Sequence, residues 1–410
     1  MSQAKHISTS PLQAPVDVTI IGAGPVGLAL GLSLHQAGIV SRILDARPQD
    51  AAHQDRRIIA LSHGSRQTLE RLSAWPIGAT LINSIHISQQ GSLGRTLLTA
   101  ADQKLPALGY VVDASLLSSA LEEACMRCDI HVEYGTQVES FDTQDPSSTH
   151  ATLHLLKAGI SGQQIETQLI ACAEGSINAS DSDDTAIVRR DYQQQALIAT
   201  VQTQAPHEGR AWERFTLNGP IALLPYRPNN DHYAAQNGDR YALVWTTTDQ
   251  AAPALMAQDD ASLLKQLTEH FGGRHQFVSI SKRHVFPLSL RYRRKPIDTR
   301  QVWLGNAAQT LHPVAGQGFN LALRDVSALT KLILENPSSD VGNAALLARY
   351  AANRRLDRGG TIRFTDSLIT VFGGENPLLR HARGAGLALL DLIPPARSFV
   401  ARRMIFGARF

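Results

Sequence analysis

The chain has 410 residues, more than one ordinary hydrophobic core fills, so two domains with one inserted into the other are expected. Apolar content of 43% and charged content of 18% are globular values that exclude a disordered or fibrous protein. A formal charge of +3, without basic residues interleaved among aromatics, argues against nucleic acid as a partner.

The polar start, MSQAKHISTSPLQAPVD, lacks the apolar stretch of a secretory signal, which predicts a cytoplasmic protein. Val18 to Ile21 is a continuous β-branched run, as a strand buried on both faces requires, and GAGPVG turns from it into the helix LALGLSLHQAG. Gly38 closes that helix and Ser41 to Ala46 is the next strand, completing a βαβ unit. RQTLERLSAWP reads as a helix stopped by Pro76, and Leu116 to Cys128 as another. Cys125 and Cys128 form a CxxC with no second pair to complete a zinc site; with Cys172 the count is odd, so neither a metal site nor a disulfide framework is expected. From Ala196 to about Val285 the pattern changes to short strands between turns, which predicts an inserted antiparallel sheet. Val302 to Gly305 restores the buried-strand pattern, FNLALRDVSALTKLIL is a helix, and the chain from Ala344 is mostly helical until Pro394 and Pro395 interrupt it.

Two glycine-bearing turns carry the chemistry. Gly22, Gly24 and Gly27 form GxGxxG between a strand and a helix: the first permits the tight turn, the second lets a pyrophosphate approach the backbone, and the third allows close helix packing. Asp45, ending the next strand, suits hydrogen bonds from ribose hydroxyls, a pairing that serves NAD and FAD alike. The second turn, GNAAQTLHPVAGQGFN, favours FAD. Another helix amino terminus stabilises negative charge on a reduced flavin, and Gly316 and Gly318 let a flat ring lie against the backbone.

GAGPVG with Asp45, DRRIIALS, AEGSIN, GPIALLPY and GNAAQTLHPVAGQGFNLALRD together resemble the class A FAD-dependent aromatic hydroxylases, and within them the ubiquinone-biosynthesis hydroxylases. The AAQTLHP that follows Asn306 is similar to the branch acting on 2-polyprenyl-6-methoxyphenol. The resemblance implies an α/β fold: a Rossmann-like FAD-binding domain of p-hydroxybenzoate hydroxylase type, an inserted antiparallel-sheet substrate domain, and C-terminal helices. The corresponding boundaries are 1–75, 105–185 and 287–355 for FAD, 76–104 and 186–286 for the sheet, and 356–410 for the last helices.

By the same resemblance Gly22, Gly24, Gly27, Asp45, Arg57, Glu174, Gly305, Asn306, Gly316, Gly318 and Asn320 hold FAD, and Pro313 lies beside the flavin ring. Phe215, Leu217, Leu223 and Leu224 wall the substrate pocket. His312 is either a catalytic base or a hydrogen-bonding member of the loop. Three departures stand out: Asn306 where most members have Asp, Glu174 and Asn178 within AEGSIN, and no arginine opening the helix near Ser115. The implied reaction uses NADPH or NADH to reduce FAD and places one oxygen atom from O2 on the ring of a polyprenylated phenol. Other readings are attack at another ring position, an isoprenoid-linked flavin reductase or oxidase, or a non-catalytic flavin subunit of a ubiquinone-biosynthesis complex. The end, LALLDLIPPARSFVARRMIFGARF, with Arg397, Arg402, Arg403 and Arg409, is either a helix capping the flavin domain or a peripheral contact with an anionic membrane surface.

Overall fold

The computed structural model describes residues 16–49, 55, 57–92, 94–143, 148–157, 159–175, 177, 186–228, 240–372 and 377–408. The polar start, Asn178 and Arg409 lie outside the described residues. The first half of the chain runs β1 (Val16–Ile21), α1 (Pro25–Gln36), β2 (Ser41–Asp45), β3 (Ile58–Ser62), α2 (His63–Arg71), β4 (Thr80–Ile82), β5 (Ser84–Gln89), β6 (Arg95–Thr99), β7 (Gly109–Asp113), α3 (Ala114–Arg127), β8 (Val132–Tyr134), β9 (Thr136–Asp142), β10 (Ala151–Lys157) and β11 (Ile160–Cys172). Then follow β12 (Ile187–Thr203), β13 (Arg210–Thr216), β14 (Gly219–Tyr226), β15 (Arg240–Thr248), α4 (Ala252–Ala257), α5 (Asp260–His270), β16 (Phe277–Ile280), β17 (His284–Arg293), β18 (Ile297–Asp298), β19 (Gln301–Trp303), β20 (Gln309–Thr310), α6 (Gln317–Leu334), α7 (Ala344–Phe372), α8 (Pro377–Leu392) and α9 (Pro394–Phe406).

The βαβ unit forms the centre of the first sheet. β1 pairs in parallel with β11 and β2, and β19 and β8 extend the parallel run on either side. Val18, Ile20, Ile43, Leu169 and Val302 are fully buried between α1, α3 and α6, which is why these strands read as unbroken apolar runs. α2 starts earlier than its leucines suggested, because the Ser62 hydroxyl accepts the Ser65 N–H and caps it. It also ends earlier, at Leu72 and the left-handed Ser73, well before Pro76.

The second sheet has the order β20-β17-β12-β15-β14-β13-β5-β6. It departs from the antiparallel expectation at one seam, since β13 pairs with β5 in parallel, from Arg210 opposite Ser84 to Phe215 opposite Gln89. β17 belongs wholly to this sheet, so it crosses the boundary expected after residue 286. Likewise the break expected after residue 355 falls inside α7, one continuous helix.

Both faces of the second sheet are apolar. Leu197, Leu223, Leu243 and Trp245 pack under α5, while Ala211, Leu224, Tyr226 and Ala242 pack on the opposite face against Ile58, Ala60 and Val111 of the first half. The prolines near the end do interrupt the helical run: α8 stops at Leu392, Ile393 is not helical, and Pro394 and Pro395 open α9. Ala401 and Ile405 of α9 pack on Leu98 and Leu108, and the Ala408 N–H donates to Asp357 of α7 at 2.8 Å, so this end caps the fold. Its outer edge still exposes Leu389, Leu392 and Ile393. Among the described residues no helix is long and apolar enough to cross a membrane.

Candidate functional site

The glycine turns meet at the carboxyl ends of the parallel strands, where open α/β sheets bind ligands. Gly22 follows β1 with φ of +106°, and a Cβ there would sit 2.9 Å from the Ala173 carbonyl oxygen after β11. Gly27 packs closer still: its Cβ would fall 1.9 Å from the Gly22 oxygen. Gly24, by contrast, faces open space, with nothing within 4 Å of its Cβ position. Gly305 (φ +56°) leans on Val26 in the first turn of α1, which brings the second glycine turn against the first. A separate cleft of about 700 Å³, lined by His35, Arg42, Glu133 and Lys157, lies at the amino ends of β1 and β2, away from these turns.

Asp45 ends β2 almost completely buried, and all its acceptor positions are in use. Its Oδ2 accepts the Ala23 N–H at 2.7 Å and Arg47 Nη2 at 2.8 Å, and its Oδ1 accepts Arg47 N and Nε. Burial works to raise the carboxyl pKa, but these bonds from Arg47 and Ala23 hold it below the usual value. Asp45 therefore fixes the glycine turn directly, and a ribose hydroxyl would take over bonds that Arg47 makes here. Arg57 opens β3 with its guanidinium on Asp55, at 2.6 Å, and is largely exposed. Glu174 is exposed immediately after β11, beside Gly22.

The second loop is built around α6. Gly316 caps the helix in the left-handed region (φ +59°) with Ala60 of β3 behind it, while the Cβ position of Gly318 meets nothing within 4 Å. Asn320 was expected to contact the cofactor, but its amide is saturated by protein. Oδ1 accepts Ser62 N and Ser65 Oγ, and Nδ2 donates to the Ala60 and Gly316 carbonyls. Its part is to clamp the loop to β3. Asn306 is half-buried and makes no side-chain hydrogen bond among the described residues.

His312 holds the loop: its Nδ1 accepts the Val314 N–H at 3.1 Å, its Nε2 is buried without a hydrogen-bond partner among the described residues, and burial pushes its pKa down to about 4. Pro313 is exposed next to it, ahead of the turn Val314–Gly316.

Period-two alternation divides the expected pocket wall. Phe215 packs on Val314 of the loop, and Leu224 lies near Ala60, on the same face of the sheet. Leu223 points the other way, into the core beneath α5, and Leu217 is 55% exposed on the turn between β13 and β14. These two are therefore not wall residues.

A buried ionic cluster that sequence reading missed supports the loop from below. Asp325 of α6 accepts Gln309 Nε2 and Arg354 Nε, Asp357 accepts Arg324 and Arg354, and Arg358 donates to the Arg293 and Ala308 carbonyls. The signal was present as Arg354, Asp357 and Arg358 at i, i+3 and i+4 on α7, one face of a helix.

A long, flat, anionic cofactor fits this arrangement. Backbone amides and two helix amino termini face it, and the space a Cβ would take at Gly24 and Gly318 is open. Comparison with known proteins agrees. The FAD binding domain family matches residues 15–365. Ubiquinone hydroxylase UbiL of Rhodospirillum rubrum is 28% identical over 94% of this chain and 88% of its own length. The 3-demethoxyubiquinol 3-hydroxylase of Escherichia coli is 28% identical over 91% and 94%. In fold, the chain is similar to p-nitrophenol 4-monooxygenase of Pseudomonas putida, with a TM-score of 0.70 at 14% identity over 97% of this chain and 100% of that one. The chain belongs to the FAD binding domain family and, within it, to the NAD(P)H-dependent flavoprotein monooxygenases.

Proposed function

We propose that this protein hydroxylates the aromatic ring of a polyprenylated phenol on the route to ubiquinone, with 2-polyprenyl-6-methoxyphenol as its substrate. The observation that carries this reading is the apolar inner face of the second sheet closing over the loop after Pro313, through Phe215 on Val314 and Leu224 near Ala60. Such an apolar wall suits an apolar ring, and a closed apolar site limits the water that would divert reduced flavin to hydrogen peroxide.

Bound FAD supplies the redox chemistry, taking electrons from a nicotinamide nucleotide and activating O2. The chain's own residues bind and orient. Gly22, Gly24 and Gly27 with the start of α1 hold the pyrophosphate; Asp45, Arg57, Glu174 and Asn306 serve the nucleotide and ribityl portions. Gly305, Gly316 and Gly318 give the ring close approach to the backbone, and Pro313 borders it. Peripheral contact of the edge formed by Leu389, Leu392 and Ile393 with a membrane suits a lipid substrate.

Deleting the gene and identifying the lipid that accumulates tests the assignment. A polyprenylated 2-methoxyphenol lacking one ring hydroxyl is the expected product, whereas an unchanged ubiquinone content contradicts it.

A further inference from the structure

Among the apolar side chains on the inner face of the second sheet stands the carboxyl of Glu213. On β13, alternation puts Ala211, Glu213 and Phe215 on that face, and Trp212 on the other, with the core beneath α5. Glu213 lies opposite Ala222 of β14 and Ile87 of β5. It is thus set between two clusters that both reach the flavin loop. Ala211 packs in the cluster holding Ala60, which backs Gly316, and Phe215 packs on Val314. Its neighbours Ala211, two residues back on β13, and Ala222, opposite on β14, are both small.

A carboxyl on such a face normally finds an arginine or a row of N–H groups. The Oε1 of Glu213 is sealed from solvent and has no hydrogen-bond partner among the described residues. Burial is the cause that raises its pKa to about 7. Titratable groups near this face have partners of their own: Tyr192 of β12 donates to Asp366 of α7, which also holds Arg190, and Tyr226 of β14 donates to Asp113 of β7, while Arg383 is buried on α8, the helix packed against β5 and β6. His312 is bonded within its own loop. The facing positions on β5 and β14, Ile85, Ile87, Ala222 and Leu224, do not titrate.

We infer that Glu213 is a catalytic carboxylate of the pocket, accepting a hydrogen bond from the ring hydroxyl of a bound phenol and taking its proton as the ring is oxygenated. This rests on the phenol-hydroxylase reading above. The phenol O–H bond breaks, its proton forms an O–H bond on Glu213, and the freed electron pair enters the ring and leaves it at the carbon that bonds the oxygen atom. The nicotinamide nucleotide supplies the two electrons that reduce the second atom of O2 to water. On rearomatisation the ring C–H proton is released and Glu213 returns the proton to the first oxygen, ending ionised as it began. Such a site selects a phenol over its aryl ether, because only the phenol satisfies the buried oxygen.

The test uses the full-length, FAD-loaded protein with 2-methoxy-6-prenylphenol and with the methyl ether of that phenol. Wild type is expected to prefer the phenol by at least about tenfold in kcat/KM, with a limb in its pH profile near pH 7. Glu213→Gln is expected to lose about 100-fold in kcat/KM for the phenol together with that limb, at wild-type flavin content, and Glu213→Leu to lose the preference for the phenol over the ether. Variants that keep both the wild-type preference and the wild-type pH profile overturn the role of Glu213. Wild type that turns over neither probe overturns the phenol-hydroxylase reading, and the role of Glu213 with it.

Discussion

Alanine at Gly24 and at Gly27 separates cofactor approach from helix packing within one motif. At Gly27 the new Cβ would lie 1.9 Å from the Gly22 carbonyl oxygen, so α1 or the turn must move by more than an ångström to relieve the contact. α1 cannot yield freely, because it is buried along Gly27 to Leu32 and at Leu34. Overpacking of this kind costs about 1–3 kcal/mol where side chains can adjust, and here both partners are backbone, so Gly27→Ala is expected at or above that range. At Gly24 the backbone (φ −74°, ψ 176°) already suits alanine and nothing lies within 4 Å. Flavin-free Gly24→Ala should therefore be as stable as wild type, or more stable by about 0.4–1 kcal/mol through the unfolded chain. Its methyl group occupies the space in which FAD comes against the backbone, and a clash of about 1–3 kcal/mol weakens FAD binding roughly 5- to 150-fold. Thermal unfolding of the flavin-free proteins and FAD titration by fluorescence read the two effects separately. Wild-type FAD affinity in Gly24→Ala, or an unshifted melting curve in Gly27→Ala, would refute the reasoning.

Two further outcomes follow from buried charge. His312, held neutral with its pKa lowered to about 4, binds no proton in the fold at pH values where the unfolded chain does, so stability falls as pH drops from about 6.5 toward 4. The loss from this residue is about 2 kcal/mol by pH 5, and His86 and His275, also pushed down to about 4, act in the same direction. Urea midpoints at pH 7 and pH 5 check this, and equal midpoints contradict it. Arg354→Met leaves Asp325 and Asp357 buried beside fewer cations and is expected to destabilise by about 3–5 kcal/mol. A loss below about 1 kcal/mol in urea unfolding would mean that the cluster relaxes without it.

What could be read from the residues alone divides along a physical line. Gly22, Gly27 and Gly316 answer to their immediate backbone, a positive φ or a contact with the adjacent turn, so both glycine loops were legible from local pattern. Which face of a strand meets the site was not. Leu223 and Leu224 look equivalent because both faces of the second sheet are buried, and alternation then marks neither one as the pocket side. The parallel seam between β13 and β5 joins residues more than a hundred positions apart, and no local signal announces it. Within AWERFT, Glu213 resembles the solvent-facing half of an alternating strand, and only the packing of Phe215 on Val314 places it over the loop. Asp45 was recognised by its position, but its partner Arg47 was not, although it stands two residues later.

The central claim is that FAD held at these turns activates O2 and that one of its atoms ends on the ring of a polyprenylated phenol. Turnover of 2-polyprenyl-6-methoxyphenol by the purified FAD-loaded protein under isotopically labelled O2, with NADPH or NADH and mass analysis of the product, addresses it most directly. The account predicts a product carrying one labelled oxygen atom on the ring. Unlabelled product, or consumption of the nicotinamide nucleotide that yields only hydrogen peroxide, would contradict it.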